Sequence, residues 1–284
     1  MKLILENWPS QIAKGMTFTK YRGIDALNPS SIVRAQQSML HVYHALTDDS
    51  EVTPSLEFGR ALHCALLEPR KFALEYEPAE GRRTLKVREE AAERGVELLK
   101  PADYETILAT ALQASKCKDL QPFIREGNAE VSVLTMEQGC RVKGRLDWIA
   151  SDPLAILDVK TARDIDEWSF SRAFYRYHYD VKLGLYQRWL QQEMQVPSIP
   201  VYLLLVENHP PHDCAVVPRC EGDPVPIPEA VLMRGAAKGV EWIKQIKRSI
   251  VSGEWPGVGD SANWSLNTPA WEMDDEEIEG AEVA

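Results

Sequence analysis

The chain has 284 residues, of which 44% are hydrophobic and 26% charged, the balance of a soluble globular protein with room for one large domain or two small ones. No apolar run approaches the ~20 residues of a membrane-spanning helix, so a membrane partner is not expected. The net charge of −11 argues against broad, non-specific binding to nucleic acid, although it is uneven: the segment 272–284 holds seven acids and no base, leaving −4 on the remainder.

The first residues, MKLILENWPS, lack the long apolar core and small-residue cleavage site of a signal peptide. The five cysteines at 64, 117, 140, 214 and 220 are scattered, odd in number and without a C-x-x-C pair. Reduced thiols and a cytoplasmic location are the expectation. Asn28-Pro29-Ser30-Ser31 is a helix-start signal, and a helix over 29–46 follows. A second helix over 56–67 is mostly apolar and carries His63 inside it. The segment 78–100 is polar and reads as a solvated loop and helix face, despite the clustered Arg82, Arg83, Lys86 and Arg88. A further helix is expected over 101–120.

Residues 130–136 alternate in polarity and read as a strand with Glu130 at its head. Two strand-like runs over 140–150 and 154–160 flank Ser151-Asp152-Pro153, a turn signal, and form a β-hairpin. Asp147 lies on its first strand, and Asp158 and Lys160 lie at the end of its second. Residues two apart on a strand share a face. Two carboxylates and an ammonium therefore converge at one sheet edge, a fit for Mg²⁺, which takes one or two carboxylates plus water and substrate phosphate.

After a linker over 161–168, a helix over 169–192 places Phe170, Ala173, Phe174, Tyr177, Val181, Leu185, Tyr186 and Trp189 at three-four spacing, most of them expected to pack on the sheet. Residues 199–206 form a near-continuous apolar strand, 214–217 another, and 228–252 an amphipathic helix closed by Gly253. His209, His212, Cys214 and Cys220 do not have the spacing of a zinc module, and the prolines among them indicate loops. The order of strands and helices predicts an α/β domain with a mixed central sheet. Three regions are expected: a helical region over 1–125, a core over 126–256, and an acidic, disordered tail over 257–284.

Gly144-Arg145-Leu146-Asp147 followed by Asp158-Val159-Lys160-Thr161 resembles the D…(D/E)-x-K core of the PD-(D/E)XK nucleases, in their RecB-type branch. Phe58-Gly59-Arg60-Ala61-Leu62-His63 resembles the G-x-x-x-H element of RecB-type and RecE-type nucleases. The run His63-Cys64-Ala65-Leu66-Leu67-Glu68-Pro69 resembles the RecE family, exodeoxyribonuclease VIII, in particular. These features, with Glu130 and the Tyr-rich helix, occur in the family's chain order. The resemblance implies a PD-(D/E)XK nuclease core with an N-terminal helical elaboration that delivers His63.

It further implies Mg²⁺ held by Asp147, Asp158, the carbonyl of Val159 and His63, with Glu130 beside them and Lys160 orienting the attacking water. Mn²⁺ is expected to substitute. Arg145 and Thr161, which adjoin the acids, are expected to contact DNA. Where RecB-type nucleases carry Q-x-x-x-Y, this chain has Lys182 and Tyr186, four apart and so on one helix face. A Lys can reach a phosphate but cannot copy an amide that both donates and accepts. The four-cysteine iron–sulfur cluster of some RecB-type nucleases is not expected here. The implied activity is 5′-to-3′ digestion of one strand of duplex DNA, leaving a 3′ overhang for a RecT-type single-strand-annealing partner, by a ring-shaped homotetramer. Another RecB-like nuclease, an endonuclease or a CRISPR adaptation nuclease, and a non-catalytic DNA-end-binding protein are the alternatives.

Overall fold

The computed structural model describes residues 10–48, 53–80 and 84–260. The acidic segment 272–284, Arg82 and Arg83 lie outside the described residues. From the N-terminus come strand β1 (Gln11–Ala13), helices α1 (Phe18–Arg22), α2 (Pro29–Ile32), α3 (Met39–Thr47), α4 (Pro54–Leu67) and α5 (Pro69–Glu75), then β2 (Tyr76–Pro78), α6 (Leu85–Glu93), β3 (Glu97–Leu99), α7 (Pro101–Ala114) and the short α8 (Gln121–Ile124). The second part holds β4 (Gly127–Glu137), β5 (Cys140–Ser151), β6 (Leu154–Ala162), α9 (Glu167–Arg176), α10 (Tyr179–Met194), β7 (Val201–Glu207), β8 (Cys214–Val217), the two-residue β9 (Arg219–Cys220) and β10 (Asp223–Pro224), and α11 (Glu229–Ser252).

Six strands make one sheet in the order β1-β4-β5-β6-β7-β8. All neighbours are antiparallel except β6 and β7, which run parallel because α9 and α10 carry the chain over one face between them. The mixed α/β sheet flanked by helices agrees with the reading of the sequence. One face packs on α10 and α11 through Leu185, Trp189, Trp242 and Ile243. The other packs on α4 and α7 through Leu62, Ile107, Leu157 and Leu204. In the α10–α11 pair a Cβ at Gly184 or Gly235 would overlap the backbone of Leu232 or Asp180, so these two glycines let the helix backbones touch.

Three expected helices are shorter or broken. The helix over 29–46 divides into α2, a 3-10 turn (Val33–Gln36) and α3. Asn28 and Ser31 cap α2 reciprocally, and Ser38, fully extended, starts α3 with its own hydroxyl accepting from His41 N. The helix over 169–192 is broken at His178, which takes a left-handed φ of 54°. The helix over 101–120 stops at Ala114. The strand β1 has no sequence signal; its three residues pair with Ser132, Val133 and Leu134. Gly253 closes α11 at a φ of 76°, with its N–H donating to Ser249 O, as expected.

Candidate active site

The hairpin of β5 and β6 is laddered only from Trp148 opposite Leu157 to Ser151 opposite Leu154. Beyond it Asp147 and Asp158 should face each other, but there the ladder stops. Asp147 Oδ2 instead accepts from Val159 N at 2.8 Å, so a side chain takes the place of a backbone partner. The same irregularity crosses to β4. Its ladder skips from Ala129 opposite Trp148 to Val131 opposite Leu146, leaving Glu130 facing Asp147 at a left-handed φ of 53°. That conformation costs a non-glycine residue roughly 1–2 kcal/mol and is retained where a site requires it. The side-chain alternation changes face at this point: Val142 and Leu146 pack toward α10 and α11, whereas Trp148 and Ala150, of the same parity, pack toward α4. Three carboxylates thus meet where three adjacent strands part.

His63 comes to them from the third turn of α4. Thr53 caps this helix, with Pro54 in its first turn, and buried Ala61, Leu62, Ala65 and Leu66 fix its rotation. His63 Nδ1 lies 3.3 Å from Asp147 Oδ1. Donor atoms of His63, Glu130 and Asp147 all fall within 4.8 Å of one another. Asp158 is buried and ion-paired with Lys160, whose Nζ also donates to Val159 O at 3.3 Å and lies 4.9 Å from the centroid of the Tyr179 ring.

The charges explain one another. Burial alone would push Asp147 up, but the His63 imidazolium, the Lys160 ammonium and the Val159 N–H hold its carboxyl down to about 2. Burial dominates at Glu130 and, with the neighbouring Asp147 charge, raises it against the pull of Arg145. Asp158 is likewise raised by burial and by Asp147, against Lys160. Burial disfavours the charged forms of His63 and Lys160, yet the carboxylates beside them raise both. Carboxylate oxygens packed this closely, with an imidazole nitrogen among them, are a donor set for a divalent cation.

The residues expected to meet DNA are placed unequally. Arg145 turns inward: it is ion-paired with Glu130 and donates to Met16 O at 2.8 Å and to Ser132 Oγ at 3.3 Å, with 12% of its side chain exposed. Its guanidinium therefore orients Glu130. Tyr186 is also internal, and burial followed by the nearby Tyr21 and the site's carboxylates raises its hydroxyl well above the ordinary phenol range. Its ring fills the space over Gly144, where a Cβ would come within 2.9 Å of it, which explains the glycine of the G-R-L-D run. Lys182 Nζ lies 5.3 Å from the Tyr179 ring centroid, and burial together with the Lys160 charge brings its ammonium down to about 8. Thr161 continues β6 opposite Val206, half-buried.

Tyr179 is the residue the sequence did not point to. Its ring serves both Lys160 and Lys182. An unbroken helix over 169–192 hides it, because the left-handed turn at His178 resets the helical phase just before it.

The sequence profile described as a PDDEXK-like domain of unknown function (DUF3799) matches residues 29–263. A search of curated proteins finds no match. Among solved structures, one named as a candidate exonuclease from Eubacterium rectale is 12% identical with a TM-score of 0.64, over 94% of this chain and 98% of that one. At that identity the likeness is one of fold. SSO0001 is 17% identical over 70% of this chain and 81% of its own, with a TM-score of 0.29.

Proposed function

Because the chain belongs to the PDDEXK-like DUF3799 family, within the PD-(D/E)XK nuclease superfamily, we propose that it is a Mg²⁺-dependent exodeoxyribonuclease of the RecE type, digesting one strand of duplex DNA from its 5′ end. The observation that carries the reading is the convergence of His63, Glu130 and Asp147, with donors within 4.8 Å, beside the Asp158–Lys160 pair. Asp147, Asp158, Val159 O and His63 would hold the cation, with Glu130 completing the set. A bound divalent ion supplies Lewis-acid polarisation of a phosphate and a lowered pKa for water.

The chain's own groups do the rest. Lys160 is positioned by Asp158, Val159 O and the Tyr179 ring to orient water or to offset charge building on the phosphorus. Lys160 and the Val159 N–H favour the ionised form of Asp147, and His63, which shares a proton with Asp147 in the metal-free site, would give that proton up to ligate a cation. Arg145 keeps Glu130 aimed into the site. Phosphodiester hydrolysis needs no covalent intermediate, and no serine or cysteine nucleophile is invoked. Lys182 and Thr161, both half-buried next to Lys160, would reach the DNA backbone. Residues 1–125 would serve to deliver His63 to the core over 126–256.

The choice of an exonuclease is supported by the RecE-type runs around His63 and by the neighbour named as a candidate exonuclease, and the 5′ polarity by the RecE-type runs alone. A RecT-type annealing protein would receive the 3′ overhang. The test is Mg²⁺-dependent digestion of linear duplex labelled separately at each end, with circular duplex beside it. Release of the 5′ label with circles intact is expected. Nicked circles would make it an endonuclease, and end binding without cleavage a non-catalytic protein.

A further inference from the structure

Away from the carboxylates, exposed aromatic rings are scarce, and they are gathered in one place. Trp168, Tyr175 and Tyr177 are three of the four exposed large aromatic residues among the described residues, the fourth being Tyr43. All three belong to α9 or to the residue that ends it. Phe170 and Phe174, four apart, bury the opposite face of this helix in the core. Trp168 is 67% exposed, although it offers one of the largest apolar surfaces a side chain can bury. The Arg172 guanidinium lies 4.5 Å from the Trp168 ring centroid and that of Arg176 5.9 Å from the Tyr177 centroid. These residues line an open recess of about 510 Å³. Neither arginine is paired with a carboxylate among the described residues. A second recess, lined by Tyr175, Asp180, Val231, Arg234 and Lys238, sets two more cations against one carboxylate. On a chain of net charge −11 this is a local positive surface.

The face is also wired to the site. The rings of Tyr177 and Tyr179 are 5.9 Å apart between centroids, and Tyr179 lies under the Lys160 ammonium at 4.9 Å. Aromatic faces therefore run from the candidate catalytic lysine outward to the arginines of α9. We propose that this face of α9 is a stacking platform for the unpaired strand of the DNA substrate. Paired bases hide their π-faces inside the duplex, so rings exposed beside arginines match bases already separated from their complement, without sequence preference. Charge complementarity with the phosphates supplies the remainder. The inference rests on the nuclease reading for its substrate and adds which form of DNA the surface holds.

The test uses the full chain in chelator, with fluorescence anisotropy of a labelled oligothymidylate. Trp168→Ala and Tyr177→Ala should each weaken binding by roughly tenfold or more, since a base–aromatic stack is worth about that factor. Trp168→Phe should retain most of the affinity, and Arg172→Ala and Arg176→Ala should flatten the salt dependence. Wild-type protein that ignores oligothymidylate, or alanine variants that bind it unchanged, would overturn the platform. Cleavage of blunt duplex with Mg²⁺ is measured in parallel. Cleavage with platform-independent binding rejects the platform alone. Platform-dependent binding by a chain that cuts no DNA supports the platform and rejects the nuclease reading.

Discussion

Asp147 bonds His63 through one oxygen and Val159 N through the other, and it stands between two carboxylates that burial keeps costly. A cation bound here relieves repulsion that folding has already imposed. Mg²⁺ or Mn²⁺ should therefore raise the melting temperature, by about 2.7 kcal/mol of added stability at a hundredfold excess over Kd, and chelator should reverse it. The rise should disappear in Asp147→Asn. For Asp158→Ala, cleavage should fall by more than about 100-fold, because loss even of groups that only orient metal ligands costs about 10–100-fold. Binding of the duplex should persist, because metal rather than DNA contacts are removed. Activity near that of wild type would reject Asp158 as a principal ligand. His63→Ala should lower divalent-ion affinity and activity with little loss of fold. If the variant instead melts early while its folded fraction binds metal normally, His63 is a packing residue.

The splayed hairpin depends on what fills its faces. Gly144→Ala would press a methyl to within 2.9 Å of the Tyr186 ring, so the variant should lose roughly 1–3 kcal/mol of stability in a denaturant titration and displace Tyr186. On the same strand Lys143 is buried, and its Nζ donates to Tyr21 O, Arg22 O and Ile24 O at 3.0, 3.2 and 2.6 Å, closing the C-terminal end of α1. Lys143→Met strands those carbonyls. Burial already holds the ammonium down to about 8, which offsets part of the loss, and a destabilisation of roughly 1–3 kcal/mol is expected by the same titration. The hairpin itself was legible because its information is local: Ser-Asp-Pro between two apolar runs, and Asp158 and Lys160 two residues apart. The helix breaks were not, because neither residue type forbids a helix: Ser38 is a cap that many mid-helix serines could mimic, and His178 packs edge-on against distant Trp242. The same limit applies within the site. The family resemblance names Arg145 and Tyr186, but only the fold shows that both point inward, toward Glu130 and Gly144, while Tyr179 reaches Lys160.

At the scale of the molecule, a nuclease that digests long duplex must hold DNA between cuts, and this chain has net charge −11, with two arginines on α9 that pair with no carboxylate among the described residues. Electrostatic attraction to the duplex is then a poor means of staying bound, because it falls steeply with salt. Enclosing the duplex in a closed ring removes that dependence, since release requires the end of the DNA rather than the breaking of ion pairs. A cyclic homo-oligomer, a tetramer by the RecE-type resemblance, with its active sites on a central channel is the expected assembly. The helical region supplies apolar groups that no neighbour covers: Leu56, Leu74 and Leu112 are 59%, 77% and 61% exposed. Trp264 and Trp271, the other candidate anchors, lie outside the described residues. Light scattering on purified protein should give four times the chain mass of 32.1 kDa. Leu74→Glu and Leu112→Glu together should reduce that mass and shorten the tract digested per encounter, while the rate of the first cut at an end changes little. A monomer mass at micromolar concentration, with long tracts still digested per encounter, would rule out the ring as the source of processivity and leave the α9 face as the means by which the chain keeps hold of its substrate.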